Sequence, residues 1–278
     1  MKILLIDRDK LSAQMIRAKL EAAGAEIIEE ADKNLALEFL KKETVDGIYF
    51  DPAPIGEAQP VVHAIRRQAL HYPYIVLLTQ SMTQEEAFRI GCNDILQKPV
   101  TGGDAAERAH NAARLSQLIN RMGDERVDFP SAGGIIAKSA FNQLFRSAID
   151  RAGRYGELSF IVLITVDNYE DIKIDNGAYA ADFAVSKMAQ HLAHMRRQSD
   201  IIGQTGHNQY ALLLQRPMTE TEPVEAASRF ATTLNQVDDI SASIMGEVKI
   251  SVSLIHLPTG DLQADHKMTR PGGFGGKS

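Results

Sequence analysis

The sequence predicts two domains of different class: a doubly wound α/β domain on a five-stranded parallel sheet, then an α+β domain containing antiparallel strands. Three observations carry this. At 278 residues the chain has room for two separate cores. Through Met122, short apolar runs alternate with segments whose apolar residues recur at helical spacing, the pattern of a parallel sheet with helices on both faces. After a stretch at 123–132 that contains Gly123 and Pro130, the order changes to helix, strand, helix, hairpin, helix, strand.

Composition narrows the function classes. Charged residues are 24% and hydrophobic residues 44%, ordinary for a soluble globular protein. A formal net charge of -6 argues against broad nucleic-acid binding. No apolar run approaches a membrane span, and 1–6 is too short and too soon met by Asp7 to be a signal peptide. The expectation is therefore a cytoplasmic protein with neither nucleic acid nor membrane as partner. The single cysteine, Cys92, excludes an intrachain disulfide and fits a reducing compartment. Beside Gly91 it reads as a buried small residue rather than a nucleophile.

In the first domain (1–122), residues 2–6 form a buried strand and 11–20 a helix that stops at Gly24. Strand 25–28, helix 35–40 and strand 47–50 follow, the last ending on Asp51. Helix 61–70 leads to strand 74–78, ending on Thr79. Helix 85–90 leads to strand 94–96, followed by Lys98-Pro99. Polar residues thus collect at the carboxyl ends of the strands, where open α/β sheets place their sites. Asp104 is positioned to cap a long helix to about Met122, whose stripe of Ala105, Ala109, Ala112, Leu118, Ile119 and Met122 is expected to pack on its own sheet along one part of its length and to dock on a second copy, giving a homodimer, along another.

Asp7, Asp51, Thr79 and Lys98, in order at four strand ends, resemble the site of the receiver domain of two-component response regulators. The resemblance implies that Asp51 is the phosphoryl acceptor and a carboxylate nucleophile. It also implies that Thr79 and Lys98 are the switch hydroxyl and the pairing lysine, that Asp7 and Asp51 hold Mg²⁺, and that a sensor histidine kinase or phosphotransfer protein is the donor. The family's acidic pair here reads Asp7-Arg8, then Asp9. Either Arg8 pairs with Asp51 and holds one state without phosphate, or it points away while Asp9 substitutes. Ile95 stands where many receivers carry a rotating aromatic.

In the second domain (133–258), Phe141, Leu144, Phe145, Ala148 and Ile149 mark an amphipathic helix, and 158–166 is a continuous apolar run read as a central strand. Val185, Met188, Leu192 and Met195 repeat at helical spacing. A hairpin turning at Gly206, a helix over 224–234 and a strand over 248–257 complete the order. With Pro271 and the four glycines that follow it, 259–278 cannot sustain a helix and is expected to be a disordered tail.

The hairpin residues Gly206-His207-Asn208-Gln209-Tyr210 resemble the signature of the GGDEF family, the diguanylate cyclases, which implies a nucleotide-cyclase-like, ferredoxin-like palm. The signature's acidic residues are gone. Ile164-Thr165-Val166-Asp167-Asn168-Tyr169 matches the strand end where the family carries D-x-D-x-F, with Thr165 in place of the first, metal-ligating aspartate. Asp182 matches a guanine contact, while Lys173 stands where an asparagine should share it. With Thr165 and Asn208 at both metal corners, a degenerate domain without cyclase activity is expected, because Mg²⁺ needs near-octahedral oxygen coordination. Arg197 and Asp200 keep the R-x-x-D spacing that in this family marks the site for cyclic di-GMP. The three functions weighed are a cyclic di-GMP receptor acting on an unknown downstream protein, a ligand-independent scaffold controlled by phosphorylation, and a residual cyclase. His191 and His194 share a helix face without a third metal ligand.

Overall fold

Five apolar runs, β1 (Lys2–Ile6), β2 (Glu26–Glu29), β3 (Gly47–Phe50), β4 (Tyr74–Thr79) and β5 (Asp94–Gln97), form one parallel sheet in the order β2-β1-β3-β4-β5. β3 and β4 are buried at every position, as strands covered by helices on both faces must be. The computed structural model describes residues 1–53, 58–100, 103–197, 199–219 and 221–273, excluding the side chains of Gly153 and Arg154.

The chain divides into two units. The first holds Met1–Arg121 with Ala148–Glu157 and Pro258–Gly260; the second holds Met122–Ser147, Leu158–Leu257 and the residues from Asp261 on.

In the first unit the sheet alternates with α1 (Lys10–Ala22), α2 (Lys33–Leu40), α3 (Ala58–Gln68), α4 (Gln84–Arg89) and α5 (Asp104–Gly123). Their starts are chemically set. Asp9 accepts from the amides of Leu11 and Ser12, Asp32 from those of Asn34 and Leu35, and Thr83 with Glu86 closes a capping box. Leu4, Ile6, Ile48, Phe50, Ile75 and Leu77 pack one sheet face against Ala36, Leu40, Val62 and Ile65. Cys92 is buried, and that burial pushes its thiol up to about 12. Ala105, Ala109, Ala112, Leu118, Ile119 and Met122 are all buried within the single chain, so the α5 stripe presents no open face to a second copy.

Next in the chain come α6 (Lys138–Tyr155), which the second unit holds as far as Ser147, and then, in the second unit, β6 (Ser159–Val166), α7 (Tyr169–Asn176), α8 (Ala178–Met195), β7 (Ile201–Gly206), β8 (Gln209–Gln215), α9 (Glu222–Gln236), β9 (Glu247–Leu257) and β10 (Leu262–Pro271). The strands form an antiparallel sheet, β10-β9-β6-β8-β7. One face carries Val162, Ile164, Leu212, Ile250 and Val252 against Met188 and Leu192 of α8 and Phe230 and Leu234 of α9.

β10 overturns the expected disordered tail. Helix breakers rule out a helix but not an extended edge strand, and here the inward positions alternate. Ala264 and Met268 pack on the core, and buried Arg270 donates to the Leu234 carbonyl (3.1 Å) and to Asp238 Oδ1 (2.6 Å) at the end of α9. Residues 274–278, part of the same expectation, lie outside the described residues.

Candidate functional sites

Parallel strands in the order 2-1-3-4-5 bring the carboxyl ends of β1 and β3 side by side, with β4 and β5 beyond. Asp7 follows β1, Asp51 follows β3, Thr79 ends β4, and Lys98 lies just past β5. The Lys98 ammonium gathers the pair: it donates to Asp7 Oδ2 at 2.7 Å and to Asp51 Oδ2. Burial alone would lower the lysine's pKa, but its hydrogen bonds to Asp51 and Asp7, with the charges of both carboxylates, outweigh it and leave it raised. Asp7 Oδ1 accepts from the Asp9 amide (2.9 Å), and Asp51 Oδ1 from the Ala53 amide (2.8 Å). Thr79 is buried, its hydroxyl accepting from the amides of Ser81 (3.2 Å) and Met82 (3.1 Å).

Arg8 is exposed and makes no ion pair among the described residues. Asp9 caps α1, its Oδ1 accepting from the amides of Leu11 (3.0 Å) and Ser12 (3.4 Å). Two carboxylates therefore converge on one point and carry one more negative charge than Lys98 neutralises. That donor set fits a magnesium ion, which commonly takes one or two carboxylates and keeps several waters.

In the second unit the β7–β8 hairpin turns on His207 and Asn208 and sets Gln209 opposite Thr165 of β6. Gln209 Nε2 donates to Thr165 Oγ1 (2.8 Å), and Gln209 Oε1 accepts from Thr205 Oγ1 (3.1 Å). Asn208 is pinned by its own amide, which donates to the Val166 carbonyl at 2.8 Å. A cleft of about 230 Å³ opens beside them, lined by Asp167, Asn168, Tyr169, Glu170, Asp171, His207 and Asn208. Asp167 Oδ1 accepts from Ser251 Oγ (2.7 Å), and Glu170 pairs with Lys173 (3.6 Å). Among the described residues no three acidic, histidine or cysteine side chains are arranged to hold a metal ion.

The sequence model for the family described as diguanylate cyclase, GGDEF domain, matches residues 131–270. The chain belongs to this family. A comparison with curated proteins found no match. Among solved structures the chain is similar to a response regulator of Thermotoga maritima, at 18% identity and TM-score 0.37, over 40% of this chain and 95% of that one. It is also similar to a GGDEF domain of Pseudomonas aeruginosa, at 18% identity and TM-score 0.36, over 43% and 70%. A third is the receiver domain of a sensor histidine kinase of Pseudomonas aeruginosa with magnesium in its active-site cleft, at 24% identity and TM-score 0.33, over 42% and 93%. The GGDEF domain at 131–270 thus follows an α/β unit whose parallel sheet runs β2-β1-β3-β4-β5.

Within the GGDEF domain the two metal corners carry uncharged side chains: Thr165 accepts from Gln209, and Asn208 donates to the Val166 carbonyl. The residues present do not fit the magnesium that such a site implies. Asp182, matched to a guanine contact, instead accepts the Tyr169 hydroxyl at 2.6 Å, and that bond with burial raises the tyrosine to about 12. Arg197 and Asp200 share a turn rather than a side-chain pair. Asp200 Oδ2 accepts from the Arg197 amide (2.9 Å), the Asp200 amide donates to the Arg197 carbonyl (3.0 Å), and the guanidinium pairs with Glu222 on α9. His191 bonds Asp239 (2.7 Å) while His194 bonds the Gln190 carbonyl (2.6 Å), so the two rings serve different partners.

Lys33, Tyr169 and Glu222 were not singled out by the sequence reading. Each acts on a residue distant along the chain, and no local spacing marks such a partner.

Proposed function

We propose that this chain is a cytoplasmic response regulator of a two-component system. Its receiver takes a phosphoryl group on Asp51 from a sensor histidine kinase or phosphotransfer protein, and its GGDEF domain signals by protein contact without making cyclic di-GMP. The observation that carries the non-catalytic half is the Thr205–Gln209–Thr165 chain of hydrogen bonds together with the pinned Asn208 amide. Joining two guanylates requires cations to neutralise phosphate charge, and these neutral side chains supply none of the carboxylate that holds them. Asp182, already engaged by Tyr169, is a remnant of nucleotide binding.

In the receiver, Asp51 is the nucleophile, Lys98 pairs with the developing phosphoryl oxygens, and Thr79 turns its hydroxyl from the Ser81 and Met82 amides toward them. Asp7 and Asp51 would hold Mg²⁺, which offsets the negative charge of the transferring group.

Cyclic di-GMP is the ligand proposed for Arg197 and Asp200, with the guanidinium exchanging Glu222 for a guanine edge or phosphate. A second reading, a scaffold controlled by phosphorylation alone, is favoured by that same Arg197–Glu222 pair, which already satisfies the arginine. Calorimetry with cyclic di-GMP separates them. Micromolar or tighter binding that disappears in Arg197→Ala supports the receptor, and an absence of heat supports the scaffold. Incubation with GTP and Mg²⁺ should yield no cyclic di-GMP; product that vanishes in Asp182→Ala would overturn the non-catalytic reading.

A further inference from the structure

Lys33 occupies an unexpected place for a cation. It opens α2, where the exposed amides of a helix start favour negative charge, and α2 has no acidic residue in its first turn. It is also buried, with only 9% of its surface exposed, and a buried ammonium is costly unless well bonded. Its Nζ reaches across to the segment after β3, donating to the carbonyls of Pro52 (3.3 Å) and Ala53 (3.1 Å), and sits 5.6 Å from the centre of the Phe50 ring.

One of these bonds bears directly on the acceptor. The Pro52 carbonyl and the Ala53 N–H belong to one planar peptide unit. Lys33 holds its oxygen, and its N–H donates to Asp51 Oδ1 at 2.8 Å. A cation on the carbonyl draws electron density from the peptide and makes its N–H a stronger donor, while fixing its direction. Asp51 is thus gripped from two sides: Lys98 on Oδ2, and on Oδ1 an amide that Lys33 orients and polarises.

We propose that Lys33 is a positioning residue for phosphoryl transfer to Asp51, acting through the Pro52–Ala53 peptide. The proposal rests on the reading of Asp51 as acceptor. With acetyl phosphate as donor, an Asp51 carboxylate oxygen bonds to phosphorus, the phosphorus–oxygen bond to acetate breaks, and acetate leaves with that electron pair. Negative charge leaves the Asp51 carboxylate as the bond forms, so the contribution of the oriented N–H is to hold that carboxylate in the attacking geometry.

The test follows intact mass of the full chain against time, with acetyl phosphate and Mg²⁺, for the wild type, Asp51→Asn, Lys33→Met, Lys33→Gln and Lys33→Arg. Lys33→Met should lower the maximal rate of adduct formation about tenfold, with little change in the donor concentration giving half that rate. Lys33→Arg, which keeps the charge, should recover most of the loss, which a purely structural role would not require. A Lys33→Met chain that unfolds on heating like the wild type and gains phosphoryl at the wild-type rate overturns the proposal. Should Lys33→Met not fold, Lys33→Gln decides in the same way, because it is neutral and one bond shorter than lysine. A wild type without adduct overturns the acceptor reading itself and this role with it, a result distinct from adduct that forms regardless of residue 33.

Discussion

Asp94, at the first position of β5, is a buried carboxyl whose surroundings predict a pH dependence. Burial pushes it up to about 6, although Arg108, the Ile95 amide and the Tyr74 hydroxyl all pull it down. Gln84 Nε2 is also within 3.4 Å, and burial raises the hydroxyls of Tyr49 and Tyr74 nearby. A carboxyl with a higher pKa in the folded than in the unfolded chain holds its proton more tightly when folded. Its contribution to stability therefore falls as pH rises from the ordinary carboxyl range to about 6 and is level above. The size is on the order of 3 kcal/mol. Asp94→Asn, neutral throughout, should gain on the wild type in urea midpoint between about pH 4.5 and about pH 7.5. An offset between the two proteins that is equal at both pH values would show that Asp94 titrates normally. At this scale the strand-end residues Asp7, Asp51, Thr79 and Lys98 were legible because sheet topology alone brings them together. The roles of Lys33 and Gln209 were not, since they follow from bonds to Pro52 and Thr165, 19 and 44 residues away.

Among elements, the contact of α6 with β7 depends on one missing side chain. A Cβ on Gly203 would lie 2.6 Å from Cβ and Cγ of Phe141, which is fully buried near the start of α6. These are not the far end of a flexible chain, so β7 must move away for any larger residue to fit. Gly203→Ala should cost about 1–3 kcal/mol. Trimming the ring should return part of that, so Gly203→Ala with Phe141→Leu is expected to be more stable than the sum of the two single changes predicts. Urea unfolding of the three variants measures both effects, and a neutral Gly203→Ala would refute the close packing. The helices with strong periodicity, α6, α8 and α9, could be read from the sequence, as could β6 and β9. Two elements could not. α7 is short and is separated from α8 by Gly177 alone, and β10 alternates small and polar residues whose inward face includes a charged one, Arg270.

For the whole molecule, the two candidate sites share no residue. Asp7, Asp51, Lys98 and Lys33 belong to the first unit, and Arg197, Asp200 and Glu222 to the second. The chemistries proposed for them also differ, one a covalent transfer to a carboxylate and the other recognition of a dianionic dinucleotide by a guanidinium. The two should therefore be separable by single substitutions in the full chain. Asp51→Asn should gain no mass from acetyl phosphate yet keep the heat of cyclic di-GMP binding, and Arg197→Ala should lose that heat yet accept phosphoryl at the wild-type rate. Running both measurements on both variants tests this directly. A single substitution that abolished adduct and heat together, in a chain still folded by circular dichroism, would mean that one site does both jobs and that the division of labour proposed between the receiver and the GGDEF domain is wrong.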